Sequence, residues 1–389
     1  MRLFSILSAV SLLAAAAAAQ SPAPSSSQAQ TPIIAAYVFP RDKALQPGDI
    51  DAKSITGINY AFANIEKGRI VEGFAHDAEN FAYLNQIKAQ NPSLVVLISV
   101  GGWLWSKNFS DMCVIADSRR TFIDSVMDFL NRYRLDGLDI DWEYPGLAGA
   151  GNTFRPEDKQ NFTALLKELR ERFDTRTRTT HRHLYLTIAA GASTEFLAHT
   201  EMDKVSRYVD TVNLMAYDYY EPDSDKITGH HAPLFTNPTD PKKISADQSV
   251  REFEQAGVPA NKLVLGMPFY GHTWGHVPST NHGLYQNGQP VPNAYSSYSN
   301  ILSTMLNEPG SKSVRYWDDV ASVPYLYNAE TQTFISYEDP QSIRLKCRYV
   351  LDHHLAGVMF WDYESDPTGA LLQAVDESLQ ISKAKGHRL

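Results

Sequence analysis

Two cysteines in 389 residues, Cys113 and Cys347, are too few for a disulfide-built scaffold. Far apart in sequence, they read as separate buried thiols, although an exported chain would permit a bridge. There is no basic block either. Lys and Arg number 35 against 44 Asp and Glu, and the net charge of −9 is spread along the chain. That argues against nucleic acid or an anionic membrane as partner and suits a neutral or cationic one. No His-Glu-x-x-His occurs, and neighbours such as His230-His231 and His353-His354 do not usually share a metal. Those histidines are expected as surface or otherwise satisfied side chains. Neither a metal nor a cofactor is expected, and the chain is expected to be a monomer. The one long apolar run, Leu3–Ala19, is too short and too Ala-rich for a membrane span. With Arg2 before it and Ala17-Ala18-Ala19 at its end, it reads as a secretory signal over residues 1–19, so a secreted, extracellular protein is expected. Residues 20–31, rich in Ser, Pro and Gln, read as a disordered leader. No such linker recurs, and the rest reads as one compact unit without an appended module.

What is present is a large core and many rings. Hydrophobic residues make up 43% of the chain and aromatics 11%, with 20 Tyr and 6 Trp. Most belong in the core, but sugar C–H faces also pack on flat rings whose edges hydrogen-bond. From Ile33 onward, short β-branched or apolar runs alternate with amphipathic stretches. The candidate strands are 33–39, 55–63, 94–100, 137–142, 184–190, 211–216, 263–268 and 357–361, with helices such as 156–173 and 248–255 between them. Eight β runs alternating with helices predict an α/β fold, a closed (β/α)₈ TIM barrel over residues 32–270 and 340–380. A doubly wound open sheet is the alternative. Between the last two strands lies more chain than a helix needs, with β-like pieces at 313–317, 323–327 and 333–337. Residues 271–339 therefore read as a small α+β insertion between strands 7 and 8, walling the face of the barrel where active sites sit.

The run Asp136-Gly-Leu-Asp139-Ile-Asp141-Trp-Glu143-Tyr144-Pro145 carries the chemistry. Successive side chains of a strand alternate faces, so Asp139, Asp141 and Glu143 share one face and Leu138, Ile140 and Trp142 the other. The apolar set suits the helix side of a barrel, which turns three carboxylates inward. Structural cores avoid buried like charges. A hard-cation site is the bland alternative. A tuned acid is the functional reading: adjacent carboxylates cannot all ionise cheaply, so one holds a proton near neutral pH. Glu143, outermost, is the natural donor.

This run resembles the signature of family 18 chitinases, and other landmarks of that family follow in order. Ser99-Val-Gly101-Gly102-Trp103 is similar to its third-strand motif, Met215-Ala-Tyr217-Asp218 to its sixth, Gly266-Met-Pro268-Phe-Tyr270-Gly271 to its seventh and Phe360-Trp361 to its eighth. The segment from Val323 to Pro340 resembles the closing half of the family's chitinase insertion domain. The resemblance implies a chitinase acting on chitin or chitooligosaccharides with net retention. Glu143 would protonate the glycosidic oxygen, and the substrate's own 2-acetamido carbonyl would attack the anomeric carbon to give an oxazolinium ion. Asp141 would hydrogen-bond the acetamido N–H, Asp139 would share a proton or hydrogen bond with Asp141, Asp136 would be structural, and Tyr217 would position the acetamido oxygen. Trp361 would floor the −1 subsite and Trp103 offer a +1 platform. Tyr37, Phe62, Gly102, Tyr144, Met215, Asp218 and Tyr270 would line or border the sugar. The family often has Arg after the seventh-strand Tyr-Gly, where this chain has His272, which puts a positive-subsite or insertion contact in doubt. Two rivals stay open: a chitinase-like lectin, which would have lost the acid, and an endo-β-N-acetylglucosaminidase on N-glycans, for which the insertion is less suited.

Overall fold

The computed structural model describes residues 31–379. The expected signal segment and the leader up to residue 30 lie outside the described residues. The compact unit beginning at Pro32 holds two sheets.

Strands β1 (Ile33–Val38), β2 (Gly57–Glu66), β4 (Val95–Gly101), β5 (Gly137–Asp141), β6 (Tyr185–Gly191), β7 (Thr211–Met215), β8 (Leu263–Pro268) and β14 (Gly357–Trp361) pair in parallel. Because β1 pairs with both β14 and β2, the sheet closes into a (β/α)₈ barrel, and the open doubly wound alternative is excluded. A short β3 (Arg69–Val71) folds back antiparallel on β2. All eight expected strands form, with ends shifted by at most three residues.

The second sheet is antiparallel: β10 (Gln289–Ser297), β9 (Tyr270–Gly275), β13 (Thr333–Ser336), β12 (Val323–Asn328) and β11 (Val314–Asp318), in that order. Its last three strands match the expected β pieces. The first two do not announce themselves, because Gly271, Gly275, Pro290 and Pro292 interrupt any alternation.

One helix is also longer than expected. The helix expected to end at Phe173 runs Asp158–Thr180. Beyond Phe173 it has no apolar stripe and is held by polar pairs, including Arg170–Asp174 at 2.8 Å and Arg176 to Asn131 at 3.0 Å. It stops at left-handed His181.

Two apolar clusters result. The larger packs strand outer faces on helices, as where buried Trp142 stacks on Phe109 at 5.2 Å and meets Phe162 edge-on at 5.8 Å. The smaller fills the barrel and includes Ala35, Tyr37, Phe62 and Met359, with Tyr217 and Trp361 against it. Cys113 and Cys347 are buried free thiols. Among the described residues no helix is long and apolar enough to cross a membrane.

Candidate active site

Parallel register sets the floor of the site. Asp139 on β5 stands opposite Ser99 of β4 and Thr187 of β6. Both hydroxyls donate to it, Ser99 at 2.7 Å and Thr187 at 2.5 Å. Tyr37 donates its phenol to Asp139 at 2.9 Å and Asn213 its amide at 3.2 Å. Burial raises the Asp139 pKa, and these four donors pull against the rise.

Two residues on, the supply of donors ends. Asp141 is 4% exposed, and its Oδ1 has no hydrogen-bond partner. Burial, then the charges of Glu143 and Asp139, push its pKa well above the carboxylate range. The expected hydrogen bond between Asp139 and Asp141 is absent among the described contacts, because Asp139's acceptor sites are already filled.

Glu143 lies just past the strand, half-buried, with its N–H accepted by the Ser106 hydroxyl at 2.9 Å. Burial raises its carboxyl from 4.5 to about 7, the Tyr144 hydroxyl opposes the rise, and the charges of Asp218 and Glu221 add to it. A proton donor near neutral pH needs such a group. Asp136, at the other end of β5, accepts from the Val96 amide at 2.9 Å and pairs with Lys88 and Arg182. It ties strands together, away from the carboxylate column.

The turn after β4 brings Ser106 over this column. Gly101 and Gly102 have φ of 110° and 77°. A Cβ on Gly101 would fall 2.1 Å from the Asp141 carbonyl oxygen, and one on Gly102 would meet the Phe62 ring at 2.7 Å. The Gly102 N–H donates to the Asp141 carbonyl at 2.8 Å, so it shapes the turn and its amide is taken.

Rings form the walls. Trp361 stacks on Phe62 at 5.5 Å and 21°, and Tyr37 and Phe39 lean on it at 5.9 and 5.5 Å. Trp103 is 51% exposed and lies 6.4 Å from Tyr144. On the opposite side Tyr217 meets Tyr270 edge-on at 6.1 Å. Burial and the charges of Asp218, Asp141 and Glu143 raise the Tyr217 phenol well above its usual value, so it stays a donor. Met215, half-buried, sits beside Gly191 of β6 and packs on the barrel's inner cluster.

Asp218, at left-handed φ of 58°, accepts from Tyr270 at 2.6 Å and from His272 at 2.8 Å. Burial alone would raise its pKa, but His231 and His272 hold it well below the carboxylate range. The position where the family often has Arg is thus filled by a histidine bound to Asp218.

Sequence reasoning missed several residues here. Ser99, Thr187 and Asn213 face inward by simple alternation, which would have found them. Tyr295 of β10, stacked on Tyr270 at 4.4 Å, left no such trace, since its strand was not foreseen. Phe39, against Trp361, and Glu221, whose charge acts on Glu143, were also missed.

With this geometry in view, the comparisons are specific. The family model for glycosyl hydrolases family 18 matches residues 32–366. Chitinase A1 of Niallia circulans is 37% identical over 84% of this chain, which spans 57% of that relative's length. A family 18 N-acetylglucosaminidase from Paenibacillus barengoltzii superposes with a TM-score of 0.81 at 41% identity, covering 89% of this chain and 99% of its own. A class V chitinase from Nicotiana tobaccum, solved with NAG4, superposes with a TM-score of 0.81 at 28% identity, covering 90% and 99%. The barrel, its inserted sheet and these matches agree: the chain belongs to the glycosyl hydrolases of family 18.

Proposed function

We propose that this chain is an exported chitinase that cleaves β-1,4-linked N-acetylglucosamine chains with retention, using the substrate's own acetamido group as nucleophile. The observation that carries this reading is the inward column Asp139, Asp141 and Glu143, with a carboxyl of pKa about 7 at its mouth. Glu143 donates its proton to the glycosidic oxygen as the C–O bond breaks. The acetamido carbonyl oxygen bonds to the anomeric carbon, and the resulting oxazolinium carries the positive charge. Asp141, whose Oδ1 has no hydrogen-bond partner, accepts the acetamido N–H and faces that charge. Tyr217 donates to the acetamido oxygen and fixes its line of attack. Water, deprotonated by Glu143, then opens the ring. Trp361 and Phe62 offer the apolar floor for the sugar at the cut. Export is supported by the apolar run that opens the chain.

The relatives named above support a chitin-type substrate. The N-acetylglucosaminidase neighbour favours a second reading, release of single residues from chain ends.

The test is hydrolysis of chitohexaose, with anomer-resolved chromatography of the products, beside fully deacetylated chitosan. Retained β-anomers and no cleavage of chitosan are expected. Comparable rates on both substrates would require a protein nucleophile and refute the mechanism. Monosaccharide as the first product would select the second reading.

A further inference from the structure

The neighbours His230 and His231 turn to different partners. Nε2 of His230 is 3.0 Å from Asp318, whereas Nδ1 of His231 is 3.6 Å from Oδ1 of Asp218. That distance is too long for a hydrogen bond, and His231, 0% exposed, has no hydrogen-bond partner at either ring nitrogen. Two unpartnered nitrogens on a buried imidazole aimed at a carboxylate are costly unless something else satisfies one of them. Nε2 of His272, from β9, reaches the same oxygen at 2.8 Å, and its ring lies 5.0 Å from that of His231 at 78°. The three ligand atoms fall within 4.8 Å of one another.

We propose that Asp218, His231 and His272 form a site for a borderline divalent ion of the zinc type. Two imidazoles and one carboxylate, with a position left to solvent, are a donor set that such ions take. A tetrahedral ion with bonds of about 2.1 Å separates its ligand atoms by about 3.4 Å. The distances of 2.8 and 3.6 Å to Asp218 bracket that value, so small side-chain rotations suffice. The Asp218 side chain is 35% exposed, which opens the site to the cleft, while both imidazoles are buried. Tyr270, donating to Asp218 at 2.6 Å, supplies the outer hydrogen bond that orients a ligating carboxylate. The outward nitrogens, Nε2 of His231 and Nδ1 of His272, lack such partners, which sets the site below a closed structural centre in affinity. On metal binding His272 would coordinate through Nε2 with a proton on Nδ1, giving up its donation to Asp218. Hard ions such as Ca²⁺ or Mg²⁺ are not matched by two nitrogen donors.

The experiment is titration of the metal-free, tag-free chain with zinc sulfate at neutral pH, read by calorimetry and by competition with a chromophoric chelator. One ion per chain is expected, with affinity lowered at least about tenfold in His272→Gln and in His231→Asn and unchanged in the exposed control His353→Asn. Circular dichroism keeps the variants comparable, and His272→Gln, at the cleft side, decides if His231→Asn misfolds. No binding by the wild-type chain, or equal binding by His272→Gln, would overturn the proposal. Neither readout depends on hydrolase activity.

Discussion

Replacing Glu143 with Gln tests the acid through stability as well as rate. The glutamine is nearly the shape of the protonated carboxyl but cannot ionise. Burial raises the wild-type group from 4.5 to about 7, with Asp218 and Glu221 adding and Tyr144 opposing. A carboxyl whose folded pKa is raised stabilises the fold fully below its unfolded pKa, and that contribution is lost as pH rises through about 7. At 1.36 kcal/mol per pH unit, the gap corresponds to about 3 kcal/mol as a ceiling. Solvent at the half-buried cleft position lowers that to about 1–2 kcal/mol. Relief of Asp141, whose pKa Glu143 also raises, acts in the same direction. Urea unfolding of both proteins at pH 4.5 and pH 8.5 reads the effect as a double difference, which cancels contacts common to both pH values. Glu143→Gln is expected to gain about 1–2 kcal/mol over wild type on going from the lower to the higher pH, while kcat falls by a factor on the order of 10²–10⁴. A double difference of zero or of opposite sign would show that Glu143 is not held protonated, and the assignment of the acid would fail with it.

Trp361→Ala removes the ring stacked on Phe62 and is expected to lower kcat/KM on chitotetraose by about 10–100-fold, the worth of about 1.5–3 kcal/mol of aromatic burial. An unchanged kcat/KM would take Trp361 out of the sugar-binding floor. Away from the site, Lys346 pairs with Glu338 and donates to the Ala232 carbonyl at 2.7 Å, with both charged side chains 0% exposed. Lys346→Met is expected to cost about 3–5 kcal/mol in thermal or urea unfolding, and the double variant Lys346→Met/Glu338→Leu to recover most of it. Equal losses in single and double variants would mean that packing, not the stranded charge, sets the cost.

The barrel was legible because each strand is a short β-branched run bounded by helix signals, and a periodicity of two is local information. The acidic column was legible for the same reason: Asp139, Asp141 and Glu143 are spaced two apart, and buried Leu138, Ile140 and Trp142 fix which way they turn. Ser99, Thr187 and Asn213 obey the same rule but carry no unusual chemistry alone, and only the register makes them Asp139's donors. Contacts between distant segments left no local trace. Nothing near His231 in sequence foretells His272, because β9 is broken by glycines and was not anticipated. Reading His230 and His231 as one adjacent pair hid that each serves a different carboxylate.

The two inner aspartates show how one strand can prepare unlike groups for the proposed mechanism. Asp139 and Asp141 face the same barrel interior and are both buried, so desolvation pushes both pKa values up. What separates them is hydrogen-bond supply. The layer of Tyr37, Ser99, Thr187 and Asn213 gives Asp139 four donors, and a carboxylate so supplied favours its charged form. One layer higher β4 offers only Gly101 opposite Asp141, and Asp141 Oδ1 has no hydrogen-bond partner. The rise is therefore opposed at Asp139 and unopposed at Asp141, where burial and the charges of Glu143 and Asp139 all push the same way. In the proposed mechanism the acetamido N–H would supply the donor that Asp141 Oδ1 lacks, and the positive charge forming beside it would favour a charged carboxylate there. Substrate binding and charge development thus draw on the same unmet hydrogen bond. A protein donor to Asp141 Oδ1 would compete with the acetamido N–H for that acceptor in the proposed mechanism.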